Sequence, residues 1–104
     1  MKLKGHSDEL TFEFDPIKNS KNKAKHGYTL KYAATIFLNE LLEVYFDGEN
    51  SDLDEDRHVA VGLTPWGEMF VVVFTENEDG SVIRVISGRR ATKQEEKYFL
   101  KGRK

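Results

Sequence analysis

Cysteine is absent from this 104-residue chain. That excludes a disulfide framework, a zinc–thiolate site and a thiol nucleophile together, and nothing points to an oxidising compartment. Long apolar runs are also missing. No stretch approaches the ~20 apolar residues of a membrane span, and Met1 to Asp8 holds no apolar core of a secretory leader. The expected location is the cytoplasm, away from any membrane. Charge of one sign is lacking as well: the net value is −2, so the chain as a whole exerts no strong field on a partner. Neither a metal nor a cofactor is expected.

Hydrophobic residues make up 38% of the chain and charged residues 33%, which suits one soluble domain with a single core. One domain over residues 1–104 is expected, with 1–10 as a flexible N-terminal extension. The small net charge conceals three blocks. Pro16 to Asn39 holds Lys18, Lys21, Lys23, Lys25 and Lys31 and no acid, Asp47 to Asp56 holds six acids and no base, and from Arg84 onward eight bases face only Glu95 and Glu96. The two basic segments are either solvated faces or, if they converge, a surface for RNA or DNA.

The pattern predicts an α+β unit: an N-terminal strand, two helices, an antiparallel meander and a short C-terminal helix. Thr11 to Phe14 alternates as a strand, and Asp15-Pro16 is an N-cap followed by proline at the first helical position. That helix is expected to reach Lys25 or His26 and stop at Gly27, with a thin apolar face of Ile17 and Ala24. Leu30, Ala33, Ala34, Phe37 and Leu41 have the spacing of a second, properly amphipathic helix. Glu43 to Phe46 is an expected edge strand, followed by an acidic loop. His58 to Thr64, Met69 to Phe74 and Val82 to Ser87 form the meander, with turns at Pro65-Trp66-Gly67 and at 77–81. Thr92-Lys93-Gln94-Glu95 fits a capping box, so a helix bearing Tyr98 and Phe99 should start at Lys93.

Arginine inside an apolar strand asks for a reason. In Val82-Ile83-Arg84-Val85-Ile86-Ser87-Gly88-Arg89-Arg90, Arg84 is either paired or lining a cleft, because an unpaired buried charge costs several kcal/mol, on the order of 3–5. Ser87 and Arg89 are expected opposite to Arg84, and Gly88 can host a bend or bulge. Three guanidiniums by one strand end can hold a phosphodiester; alternatively Arg89 and Arg90 are a surface pair leading into the last helix. Lys18, Asn22 and His26 recur at i, i+4, i+8, with Lys25 adjacent; they form either a wet helix face or an RNA-facing one. His26 either neighbours the helix C-terminus or exchanges protons with a ribose hydroxyl. Arg57 has Asp54, Glu55 and Asp56 as local partners.

Taken together, Phe12-Glu13-Phe14-Asp15-Pro16-Ile17-Lys18, Asn22, Lys25-His26-Gly27, Ala33, Phe37, Asp54 to Arg57, Gly62, Val71 to Glu76, and Ile83 to Thr92 with Glu95 and Tyr98 resemble the BrnT family. The resemblance implies a RelE-like fold and a ribonuclease toxin of a type II toxin–antitoxin system. Also implied are an RNA substrate cleaved without metal, growth arrest, and a BrnA-like antitoxin through which alone the complex reaches operator DNA, in a dimer of toxin–antitoxin heterodimers. Candidate catalytic residues are Arg84, Arg89, Arg90, His26, Arg57 and Tyr98; candidate RNA-binding residues are Lys18, Asn22, Lys25 and Ser87. Gly88 stands where the motif usually has alanine, and Phe14 where tryptophan is frequent. The alternative is a weakened homologue that acts mainly as antitoxin-binding partner and co-repressor.

Overall fold

The computed structural model describes residues 2–4, 9–39, 41–47, 56–78 and 80–101. Nine elements follow in order: β1 (Lys2–Lys4), β2 (Glu9–Phe14), α1 (Pro16–His26), α2 (Leu30–Ala33) running on as a 3-10 turn (Ala34–Leu38), β3 (Glu43–Asp47), β4 (Arg57–Leu63), β5 (Met69–Glu76), β6 (Val82–Arg90) and α3 (Lys93–Lys101). The strands make one sheet ordered β1-β2-β6-β5-β4-β3. The meander is antiparallel as expected, but β2 joins β6 in parallel. Lys2–Lys4 pairs with β2, so that part of the expected extension is a sheet edge. The acidic loop at 48–55 lies outside the described residues.

The sheet buries both faces. On one, Phe12, Phe70, Val72, Phe74, Ile83 and Val85 meet Leu30, Ala33, Ile36 and Phe37 from the helical segment; on the other, Met69 and Val71 meet Ala91 and Phe99 around α3. Burial on both faces explains why β5 reads as a continuous apolar run.

Two helices depart from expectation. The exposed residues of α1 include Ile17 and Ala24, and its buried residue is Asn22. The second helix keeps α geometry for one turn only. Thr35 donates its hydroxyl to the Tyr32 carbonyl, a side-chain bond that competes with regular helix, and the 3-10 turn has a period of three. Ile36 thereby enters the core, while Leu41 is left exposed.

Strand β6 runs three residues past its expected end, to Arg90. Its pairing with β5 shifts where Val73 opposes Ser87 and Phe74 opposes Val85, leaving Ile86 as the extra residue. This β-bulge re-aims everything after it. Arg84, Ser87 and Arg89 oppose Thr75, Val73 and Val71 on the α3 face, and Arg90 opposes Phe70 on the other. Ser87 and Arg89 therefore share a face with Arg84, contrary to simple alternation, and the bulge sits two residues before Gly88.

Candidate functional site

The bulge divides the arginines. Arg84 is exposed and opposes Glu13 of β2, with its Nε 3.8 Å from the Glu13 carboxylate, a loose surface pair worth at most ~1 kcal/mol. Beside it lies a cleft of about 340 Å³ lined by Glu13, Asp15, Lys18, Arg84 and Ile86, among others. Lys18 thus reaches the neighbourhood of Arg84. Ser87 is half-buried on the same sheet face.

Arg89 is engaged structurally. Its two terminal nitrogens donate to both Glu95 oxygens at 2.8 and 2.9 Å, and Glu95 also accepts from the Thr92 amide at 2.8 Å. Thr92 in turn caps the Glu95 amide, completing the expected capping box. The Arg89 guanidinium holds the Glu95 carboxyl down at about 2. A fork so engaged docks α3 and has little left for a phosphate.

On the opposite face, Arg90 donates to Glu68 at 3.0 Å, and the Tyr28 hydroxyl lies within its hydrogen-bond reach. Glu68 also accepts from the Tyr32 hydroxyl, a bond that raises the Tyr32 pKa above its usual value. Tyr28, Tyr32 and Trp66 stack in sequence, with centroids 5.5 and 5.4 Å apart and planes within 17° and 12°. Phe70 buttresses both tyrosines edge-on. A cation, a carboxylate, a phenol and an open aromatic face therefore meet here. Glu68, Tyr32 and Trp66 were not singled out as site residues from the sequence; the signal was the register, since a β5–β6 hairpin brings the start of β5 beside Arg90.

Asn22 explains how the basic helix is attached. Beyond Phe14, β2 ends and α1 takes its place along β6. The Asn22 amide then substitutes for a strand: it donates to the Gly88 carbonyl at 2.7 Å and accepts from the Gly88 amide at 3.1 Å, while also donating to the Tyr28 carbonyl. Asn22 is 7% exposed, so it belongs to the scaffold and not to an RNA-facing surface. Lys18, at the cleft beside Ile86, and Asn22, on Gly88, show that the i, i+4 stripe tracks β6; one more turn along lies His26, two residues before Tyr28. Lys25 is exposed on the same helix.

Gly88, the departure from the motif, is tightly held. A Cβ there would meet the Ala33 Cβ at 2.5 Å, so the α2 backbone packs against the strand too closely for alanine. Both of the Gly88 backbone groups are bonded to the Asn22 side chain.

The remaining candidates lie apart. Arg57 opposes Asp47 in the β3–β4 register; of its expected partners, Asp54 and Glu55 fall outside the described residues. Tyr98 is exposed on α3 at an apolar cavity of about 340 Å³ lined with Tyr45, Val61 and Phe99. His58 stacks on Phe74, with Nε2 3.8 Å from Glu76.

Residues 14–95 match the model of a family described as "Ribonuclease toxin, BrnT, of type II toxin-antitoxin system". The fold is similar to the crystal structure of the Brucella abortus ribonuclease toxin, BrnT, with a TM-score of 0.55 and 21% identity, covering 81% of this chain and 99% of that one. No curated protein sequence matches. Among the described residues, no helix is long and apolar enough to cross a membrane, and no cluster of three or more His, Asp or Glu has the arrangement of a metal site.

Proposed function

The chain belongs to the BrnT family of ribonuclease toxins of type II toxin–antitoxin systems, and from that premise we propose that it cleaves RNA at the Arg90 end of β6, without a metal ion. The observation that carries this reading is the Glu68 carboxylate accepting from both Arg90 and Tyr32 beside an exposed aromatic stack. In metal-independent cleavage the ribose 2′-oxygen attacks the adjacent phosphorus while the bond to the next 5′-oxygen breaks. A 2′,3′-cyclic phosphate and a free 5′-hydroxyl result. Glu68 takes the 2′-hydroxyl proton, Arg90 balances the charge that builds on the phosphoryl oxygens, and His26 gives the 5′-oxygen its proton. Tyr32 holds Glu68 in place.

Lys18 and Lys25 of α1 then contact the RNA backbone further along, each contributing salt-sensitive affinity, whereas Arg84 and Ser87 lie on the α3 face of β6, away from Arg90. Arg89 acts by docking α3, and Arg57 and Tyr98 stand outside the reacting centre. The protein works in the cytoplasm with a BrnA-like antitoxin, in a dimer of heterodimers whose contact with operator DNA runs through the antitoxin.

Induced expression in bacteria tests the reading. The wild type should arrest growth with loss of total RNA, and Arg90→Ala and Glu68→Gln, confirmed folded by circular dichroism, should do neither. Purified wild type should cleave RNA in EDTA and leave a cyclic phosphate end. Full toxicity of Arg90→Ala would sink the assignment of this centre.

A further inference from the structure

Trp66 is the chain's sole tryptophan and is 67% exposed, yet its position is tightly defined. The turn from β4 to β5 closes with the Gly67 amide on the Thr64 carbonyl at 3.0 Å and the Thr64 amide on the Glu68 carbonyl at 2.8 Å. Pro65 at the second turn position and Gly67 at φ +86° suit a three-residue hairpin loop. The buried Thr64 hydroxyl further accepts from the Trp66 and Glu68 amides. A large apolar ring on a loop tip contributes little to a core, and here the chain holds it still.

One face of the indole is covered by Tyr32, at the end of a stack that starts on Tyr28 and is anchored against fully buried Phe70. The planes stay near-parallel along the series and Trp66 is the most open of its rings, so the next layer is the space over the indole face that Tyr32 leaves uncovered. Glu68, two residues along, links this stack to Arg90. A planar, electron-rich surface beside a guanidinium is the pairing that single-stranded nucleic acid uses, with the ring taking a base and the cation taking the backbone.

We propose that an unpaired RNA base stacks on the outer face of Trp66, so that this chain selects single-stranded RNA. The inference rests on the ribonuclease centre placed at Arg90 and names the form of RNA which that centre accepts. A base held in a duplex is stacked on its neighbours and is not free to add to the Tyr28–Tyr32–Trp66 series.

Because the chain has one tryptophan, its fluorescence reports on this position alone. The full chain is titrated with a 2′-O-methyl octamer of adenosine, which lacks the attacking hydroxyl, and with the same octamer annealed to its complement. Saturable quenching by the single strand, and at least tenfold weaker binding of the duplex, are expected. Trp66→Ala, followed by anisotropy of a labelled octamer, should weaken binding about 5- to 150-fold, whereas Trp66→Phe should keep most of it. In cleavage assays Trp66→Ala should raise KM more than it lowers kcat. An unquenched tryptophan in a chain that still cleaves RNA through Arg90 overturns this proposal alone. If the wild type neither binds nor cleaves RNA, the centre itself falls with it. Loss of antitoxin binding by Trp66→Ala with RNA affinity unchanged assigns the ring to the antitoxin instead and equally overturns the proposal.

Discussion

The two faces of β6 receive arginines from adjacent positions and use them differently. On the α3 side, Arg89 meets Glu95 through two parallel bonds, and Glu95 is itself tied to the first turn of the helix. On the other side, Arg90 shares a single carboxylate with Tyr32 at the base of an aromatic stack whose last ring lies open. The residue type and the strand are the same; the partner geometry differs. A bidentate fork inside a capping box is an element of construction, whereas a half-engaged guanidinium beside a carboxylate and a phenol can change partners when a phosphate arrives.

The comparison breaks most directly at the arginines themselves. Arg90→Ala should lower kcat/KM for RNA about 100- to 1,000-fold, as loss of one charge-stabilising donor does, with a melting temperature near that of the wild type. Arg89→Ala should show the reverse pattern, with a clear fall in melting temperature and an activity loss of about tenfold or less that follows the stability. Equal activity losses with equal stability would show that the two faces are not distinct in function.

A second test concerns what keeps β6 straight enough to present both faces. Asn22→Ala leaves the Gly88 amide and carbonyl without their partner, and each such group costs about 1–3 kcal/mol when it stays buried. A loss of about 3 kcal/mol in urea unfolding is expected, with Asn22→Asp less harmful than alanine only where the acid is protonated. Gly88→Ala is the next largest. Its methyl would sit 2.5 Å from the Ala33 Cβ, and overpacking of this kind costs about 1–3 kcal/mol. Adding Ala33→Gly should recover part of that loss. Failure of the second glycine to help would mean that the strand and helix separate to admit the methyl, and that contact with the Ala33 Cβ is not what limits this position.

How far the sequence foretold this arrangement depends on which interactions were local. The caps at Asp15 and Gly27, the turn at Pro65-Trp66-Gly67 and the α3 capping box depend on near neighbours and are found as read, and the apolar strands are found with shifted ends. The bulge at Ile86 is set by pairing with β5, so alternation alone placed Ser87 and Arg89 on the wrong face. Asn22 has the look of a solvated helix residue because its partner, Gly88, is 66 positions away. The same limit hid the centre. Arg90 was visible as a chemistry-bearing side chain, but Glu68 becomes its partner only once β5 and β6 are in register.

The smallest effect isolates the structural face by pH. The Glu95 carboxyl has its pKa lowered from 4.5 to about 2, mainly through its bond with Arg89. A carboxyl whose folded value lies below its unfolded one contributes stability above the unfolded value and loses it as pH falls through the folded one. The contribution of the Arg89–Glu95 pair is therefore full at neutral pH and fades between about pH 4.5 and 2. Both side chains are partly open to solvent, so screening reduces it to about 1 kcal/mol, or about 4–8 °C in melting temperature for a domain of this size. Glu95→Gln should be less stable than the wild type at pH 7, and the two curves should converge toward pH 2. A gap that persists at pH 2 for Glu95→Gln would trace its loss to packing of α3, not to the charge pair, and would remove the electrostatic half of the contrast between Arg89 and Arg90.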